Sequence, residues 1–262
     1  MTSESRVWPP GLLPEEAELA KFEARLDDLK DELVEGELEC ATLRCDLHGF
    51  RAHYLTVVGR RIAELDRLDA EIAVIIARDD PSPRAQREMR EALARAQASL
   101  DALGDDPRAL AADADADERV ISPELRQLFR RVAKAMHPDL AADEAERGLR
   151  ERFMAMANRA YERGDLAGLQ AVLDEWRSLP EMVVGVGIGD ALVRVIRAIA
   201  AVEARLAAIA EEIGALRTES LHALFGQARN AGDEGRDLLR EMADELDLRT
   251  ATARERLAGL GL

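Results

Sequence analysis

The sequence predicts an all-α protein: a central antiparallel helical hairpin flanked by N- and C-terminal coiled-coil helical hairpins. Three observations carry that prediction. Aromatics are 3% of the 262 residues while 34% are charged, and so little aromatic surface argues against a thick globular core. Ala, Leu, Glu and Arg are abundant and the apolar residues recur at helical spacing, the signature of long helices. Two stretches hold seven-residue apolar repeats with charges between them, which favours coiled coil over isolated surface helices.

Met1–Pro14 carries Pro9, Pro10 and Pro14 and reads as a flexible lead-in. A coiled-coil hairpin is expected over residues 15–104. Its first core position takes Leu19, Leu26, Leu33, Cys40, Leu47 and Tyr54, and its second takes Phe22, Leu29, Gly36, Leu43, Phe50 and Val57. Gly36 is the weak spot, since Gly costs about 1 kcal/mol relative to Ala inside a helix. After Val57 the stripe moves to Val58, Ile62, Leu65, Ile72 and Ile76, a change of phase that needs a stutter or a slight bend. Asp79-Asp80-Pro81 then breaks the helix, and Ser82-Pro83 has the residue types of an N-cap and a first helical position. The next helix carries Met89, Leu93, Ala96 and Leu100 on one side, closes at Gly104 and can fold back on the first. Residues 105–120 are acidic and Ala-rich and read as a solvated linker.

Residues 121–178 form the central unit. Leu125, Leu128, Phe129, Val132 and Met136 recur on one helical face, within an arc roughly 100° wide. Arg126, Arg130 and Lys134 lie four residues apart on another side and make a cationic ridge flanked by Arg131. Pro138 disfavours helical backbone at His137, so the helix ends there. A second helix follows the acidic Asp143–Glu146 turn, with Leu149, Phe153, Ala157, Ala160 and Tyr161 on its apolar side. The short loop predicts an antiparallel pair.

At these residues the chain resembles the J-domain family, cochaperones that drive ATP hydrolysis by DnaK-type (heat-shock-70 class) chaperones, in the form of a bacterial-type J-domain protein with flanking coiled coils. The resemblance is carried by Leu125-Arg126-Gln127-Leu128-Phe129-Arg130-Arg131-Val132-Ala133-Lys134-Ala135-Met136-His137-Pro138-Asp139 and by Asn158-Arg159-Ala160-Tyr161-Glu162. The family's usual first helix has no counterpart in Asp113–Ile121. The resemblance implies docking on the chaperone's ATPase domain through the basic helix and the His-Pro-Asp turn. The docking residues would be Arg126, Phe129, Arg130, Arg131, Lys134, His137, Pro138 and Asp139.

Beyond the central unit, Gly164-Asp165 stops one helix and caps the next, which carries Leu166, Leu169, Leu173 and Trp176. Pro180 and Gly185-Val186-Gly187-Ile188-Gly189 end it, so residues 179–190 read as a Gly-rich linker, with Asp190 suited to cap the helix after it. A second coiled-coil hairpin is expected over 191–262. Its core positions are Leu192, Val195, Ile199, Val202, Leu206, Ile209, Ile213 and Leu216. Gln227–Gly235 reads as a turn region, and a final helix carries Leu239, Met242, Leu246, Ala253 and Leu257.

Three features look like chemistry without supplying it. Cys40, Cys45, His48 and His53 have zinc-like spacing, but Cys40 is a core position and the others point to different sides of one helix, which cannot gather four ligands around an ion. The Gly185-x-Gly187-x-Gly189 run has neither a strand before it nor a Gly-Lys-Ser/Thr ending, so a phosphate-binding loop is not expected. His137 has no nucleophile or paired carboxylates beside it in the sequence. No catalytic site, metal or cofactor is expected, and His222, Trp8 and Trp176 receive no function.

The formal net charge of −16 repels nucleic-acid phosphates and anionic lipid over most of the surface, so neither nucleic acid nor membrane is an expected partner. Met1–Arg6 is polar with no apolar run after it, and a cytoplasmic chain is expected. The expected function is that of a J-domain cochaperone. Its coiled coils would serve targeting to an unidentified protein client or pairing into a homodimer. The alternative is a coiled-coil scaffold with a degenerate J-like hairpin that no longer engages a chaperone.

Overall fold

The structure, a computed structural model, describes residues 14–104, 121–141, 144–178 and 188–260. The expected lead-in ahead of Pro14, the acidic linker 105–120, Asp143 of the acidic turn and Gly185 and Gly187 of the Gly-rich run lie outside the described residues, as does Trp8. Among the described residues every regular element is helical, and the protein is all-α.

The chain forms α1 (Pro14–Tyr54), a π-helical turn (Leu55–Gly59), α2 (Arg60–Asp79), α3 (Pro83–Leu103), α4 (Pro123–Met136), a 3₁₀ turn (Pro138–Leu140), α5 (Glu144–Glu162), α6 (Leu166–Arg177), α7 (Ile188–Thr218), α8 (Ser220–Asp233) and α9 (Leu238–Leu260). It divides into two compact units, and neither is one continuous stretch. Unit 1 holds residues 1–45 and 121–217, and unit 2 holds 46–120 and 218–262. The sequence-based boundaries run consecutively along the chain, whereas these units cut α1 after Cys45.

In unit 1 the two heptad stretches pair with each other rather than each closing a hairpin with its chain neighbour. Leu26, Leu33 and Cys40 of α1 are buried with Ile199, Val202, Ile209 and Ile213 of α7. Contacts advance together along both helices, with Arg25 paired to Glu203, Glu37 to Arg205 and Arg44 to Glu212, while the long Arg217 side chain reaches back to Glu39. The two helices are therefore parallel, an arrangement that needs a long connection between them. Gly36 sits at this seam, where a Cβ would lie 3.5 Å from Ile209 Cγ2.

A second apolar stripe on α1 has no place in its heptad. Val34, Leu38 and Ala41 recur at four and three residues and enter the core of the central unit. That core joins Leu125, Leu128, Phe129, Val132, Ala133 and Met136 of α4 to Phe153, Met154, Ala157, Ala160 and Tyr161 of α5 and Leu169, Val172 and Leu173 of α6. Ile121 is buried there too. Within unit 1, α1 and α6 cover the α4–α5 pair. Trp176, placed on the apolar side of its helix from sequence and given no function, meets Phe153 edge-on with ring centroids 5.4 Å apart.

In unit 2 the phase shift of the apolar stripe is the π-helical turn itself. An extra residue in one turn moves the buried position from Val57 to Val58, which is fully buried. Thr56 Oγ1 donates to Ala52 O at 2.9 Å and Arg61 Nη1 to Val57 O at 2.6 Å across that turn. Ser82 Oγ accepts from Ala85 N at 3.3 Å with Pro83 as first helical residue, so the expected cap forms.

The helix α3 is rotated from its expected face. Ala85, Ala92 and Ala96 are buried, whereas Leu93 and Leu100 stay 46% and 50% exposed. Small residues let α3 approach Ala70 and Ala73 of α2 closely, and that contact replaces the leucine stripe. The expected turn over Gln227–Gly235 is mostly helix. The helix α8 continues to Asp233 with Ala231 buried, and the chain turns only where Gly235 adopts φ 75°.

Candidate functional site

The site is the end of α4 and the turn that follows. Ser122 Oγ accepts from Leu125 N at 3.1 Å and Pro123 takes the first helical position, which fixes where the ridge begins. This cap repeats the Ser82-Pro83 pattern, and that was the signal sequence reasoning passed over. The helix stops at His137, whose ψ of 131° is extended, as Pro138 requires.

Arg126, Arg130, Arg131 and Lys134 are all exposed and lie on one side of α4. Arg130 makes a bidentate pair with Glu35 of α1 (Nε–Oε1 2.6 Å, Nη2–Oε2 3.0 Å), and Lys134 pairs with Asp31. Hydrogen bonding to those carboxylates raises both cations above their usual range. The Tyr161 hydroxyl lies 2.8 Å from Thr42 Oγ1, and burial pushes that hydroxyl up against the opposing charge of Arg126. Arg131 has no ion-pair partner among the described residues.

Phe129 belongs to the core, not to the docking surface assigned from sequence. It is fully buried, and its ring centroid lies 4.6 Å from that of Tyr161.

The turn residues face inward. His137 is 1% exposed. Its Nδ1 accepts from Asp139 N at 3.2 Å, which leaves Nε2 to donate to Glu37 Oε1 at 3.1 Å. The same Glu37 oxygen accepts from Arg205 Nε of α7 at 2.7 Å. Burial alone would raise the Glu37 carboxyl, but hydrogen bonds from His137 and Arg205 and the charge of Arg205 hold it below the usual carboxylate range. Arg205, which burial would lower, is raised by its hydrogen bond and ion pair with Glu37. Asp139 Oδ1 lies 3.4 Å from Arg147 Nη2.

The helix α5 secures the turn from the other side. Arg150 Nη1 donates to Ala135 O at 3.2 Å and His137 O at 3.3 Å, Nη2 pairs with Glu146 at 2.7 Å, and the guanidinium lies 5.1 Å over the Trp176 ring. It thus satisfies carbonyls that the helix end leaves open. Beside the turn a cleft of about 510 Å³ is lined by Pro138, Asp139, Arg147, Arg194 and Arg197.

The structure therefore brings together the ridge cations and the His-Pro-Asp turn, and it adds Glu37, Arg205, Arg147 and Arg150. Glu37 flanks a core position of the first heptad stretch, where interhelical charges belong. Its actual partners come from segments far along the chain. Cys40 is buried with Sγ 3.5 Å from Glu212 Oε2, and burial pushes its thiol up. Cys45 Sγ donates to Glu162 O at 3.5 Å. What the arrangement offers chemically is an exposed cationic strip for an acidic surface, next to a turn whose side chains are fixed from within. A scan against known protein families, a search of characterised proteins and a search of solved structures each return no match for this chain.

Proposed function

We propose that this chain is a J-domain-type cochaperone that docks on a DnaK-type chaperone through α4 and the His137-Pro138-Asp139 turn and stimulates its ATP hydrolysis. One observation carries the reading. Four exposed cations stand on one helix that runs directly into a His-Pro-Asp turn, in a chain whose net charge is −16. A local inversion of sign on that scale steers association with an acidic surface. The turn would then bias the bound chaperone toward its hydrolysing state through contacts it makes better there than elsewhere. The helices of unit 2 would serve a client or a second copy.

Titration against a DnaK-type chaperone tests this. The reading expects salt-sensitive binding that is lost in Arg130→Ala/Arg131→Ala. A folded wild-type chain that does not bind at low salt would sink it.

A second reading, a scaffold whose J-like hairpin engages no chaperone, is favoured by one specific observation. The His137 side chain is committed to Glu37 inside unit 1 and leaves almost no surface for a partner.

A further inference from the structure

We propose that Asp31 and Glu35 of α1 are an intrachain competitor for the acidic partner of the α4 ridge, so that the docking face is half occupied until that partner exchanges with them. The inference rests on the cochaperone reading of α4.

The register supports it. Asp31 and Glu35 stand four residues apart on α1, and Lys134 and Arg130 stand four apart on α4 in the opposite order. One turn of each helix therefore matches one turn of the other, and the carboxylates meet the ridge as an acidic partner helix would. Arg130 is held by both guanidinium nitrogens that a partner carboxylate would want.

Exposure decides what can exchange. The Arg130 and Glu35 side chains are 44% and 59% exposed, and Lys134 and Asp31 are 59% and 64% exposed. Ion pairs this wet are screened by salt and yield readily to a better-placed carboxylate. The rest of α1 does not have to leave. Val34, Leu38 and Ala41 stay in the core, and Glu37 stays on His137.

The ridge ion pairs fall on Arg130 and Lys134, so Arg131 and Arg126, with no ion-pair partner among the described residues, are the foothold on which a partner lands first. Arg130 and Lys134 are then transferred from α1 to the partner. A ridge that is only partly free lowers the apparent affinity by the free fraction, so removing the competitor raises it.

The test is a titration of the full chain and its Asp31→Asn/Glu35→Gln variant against an ATP-bound DnaK-type chaperone. Helix content and melting are compared first. The variant should bind about fivefold more tightly at low salt, the size expected from two exposed pairs, and the gain should vanish at high salt. Glu35→Gln alone should shift affinity the same way by less. If wild type binds and the double variant binds equally or more weakly, the competitor is overturned while the cochaperone reading stands. If neither form binds at low salt, both are overturned.

Discussion

His137 Nε2 lies 3.1 Å from Glu37 Oε1, and this one hydrogen bond ties the end of the ridge helix to a residue one hundred positions earlier in the chain. The Glu37 oxygen also takes the Arg205 guanidinium, so a single buried carboxylate joins α1, the His-Pro-Asp turn and α7. The turn is thereby built into unit 1 rather than carried on a free hairpin.

Removing that carboxylate should be costly. Glu37→Leu strands His137 and Arg205 with donors and no acceptor, and it should lower stability by about 2–3 kcal/mol, the cost of breaking a buried pair reduced for the partial exposure of Arg205. Urea denaturation of the full chain measures this. Glu37→Leu/Arg205→Met should recover the Arg205 share of the loss but not the His137 share, because the guanidinium is gone while the His137 Nε2 donor still lacks an acceptor.

The same residue gives the stability a pH dependence of known sign. Glu37 titrates near its ordinary 4.5 when unfolded and lower when folded. Its contribution is fully present above the unfolded value and is lost as pH falls through the folded one. The urea midpoint of wild type should fall through that acidic window more steeply than that of Glu37→Gln. Equal slopes would show that folding does not lower this carboxyl.

Gly36→Ala should stabilise the protein by about 1 kcal/mol, the helix-propensity difference. The new methyl would meet Ile209 and Leu206 at 3.5–3.8 Å, ordinary contact rather than a clash. A rise in melting temperature checks it, and a fall would mean that α1 and α7 pack more closely than described.

Phe129→Ala should act through folding rather than docking. It removes a fully buried ring tilted against that of Tyr161 and should cost about 3–5 kcal/mol. Chaperone affinity per folded molecule should stay close to that of wild type, as read by comparing binding with the folded fraction from circular dichroism.

Much of this was legible locally. Ser82-Pro83, Gly164-Asp165 and the phase slip after Val57 each report a backbone event within a few residues, and the structure places a cap, a stop and a π-helical turn at those points. The heptad residues of α1 and α7 were legible as core, but the repeat does not name its partner. Parallel pairing of two distant stretches is a property of the fold. The stripe of Val34, Leu38 and Ala41 was present in the sequence and overshadowed by the stronger heptad beside it. Leu93 and Leu100 misled because size suggests burial, whereas the close approach of α2 and α3 selects alanine. In the site the ridge cations and the turn could be read directly. Glu37, Arg205 and Arg150 could not, since an isolated charge on a helix face looks the same whether it meets water or a buried histidine.

Single-turnover ATP hydrolysis by a DnaK-type chaperone tests the central claim most directly. It should be run with the wild-type chain and with His137→Gln and Asp139→Asn forms whose helix content and melting match wild type. The account predicts acceleration by the wild type and none by either variant. Unchanged hydrolysis with folded wild type would contradict it and leave α4 and its turn as structural parts of unit 1.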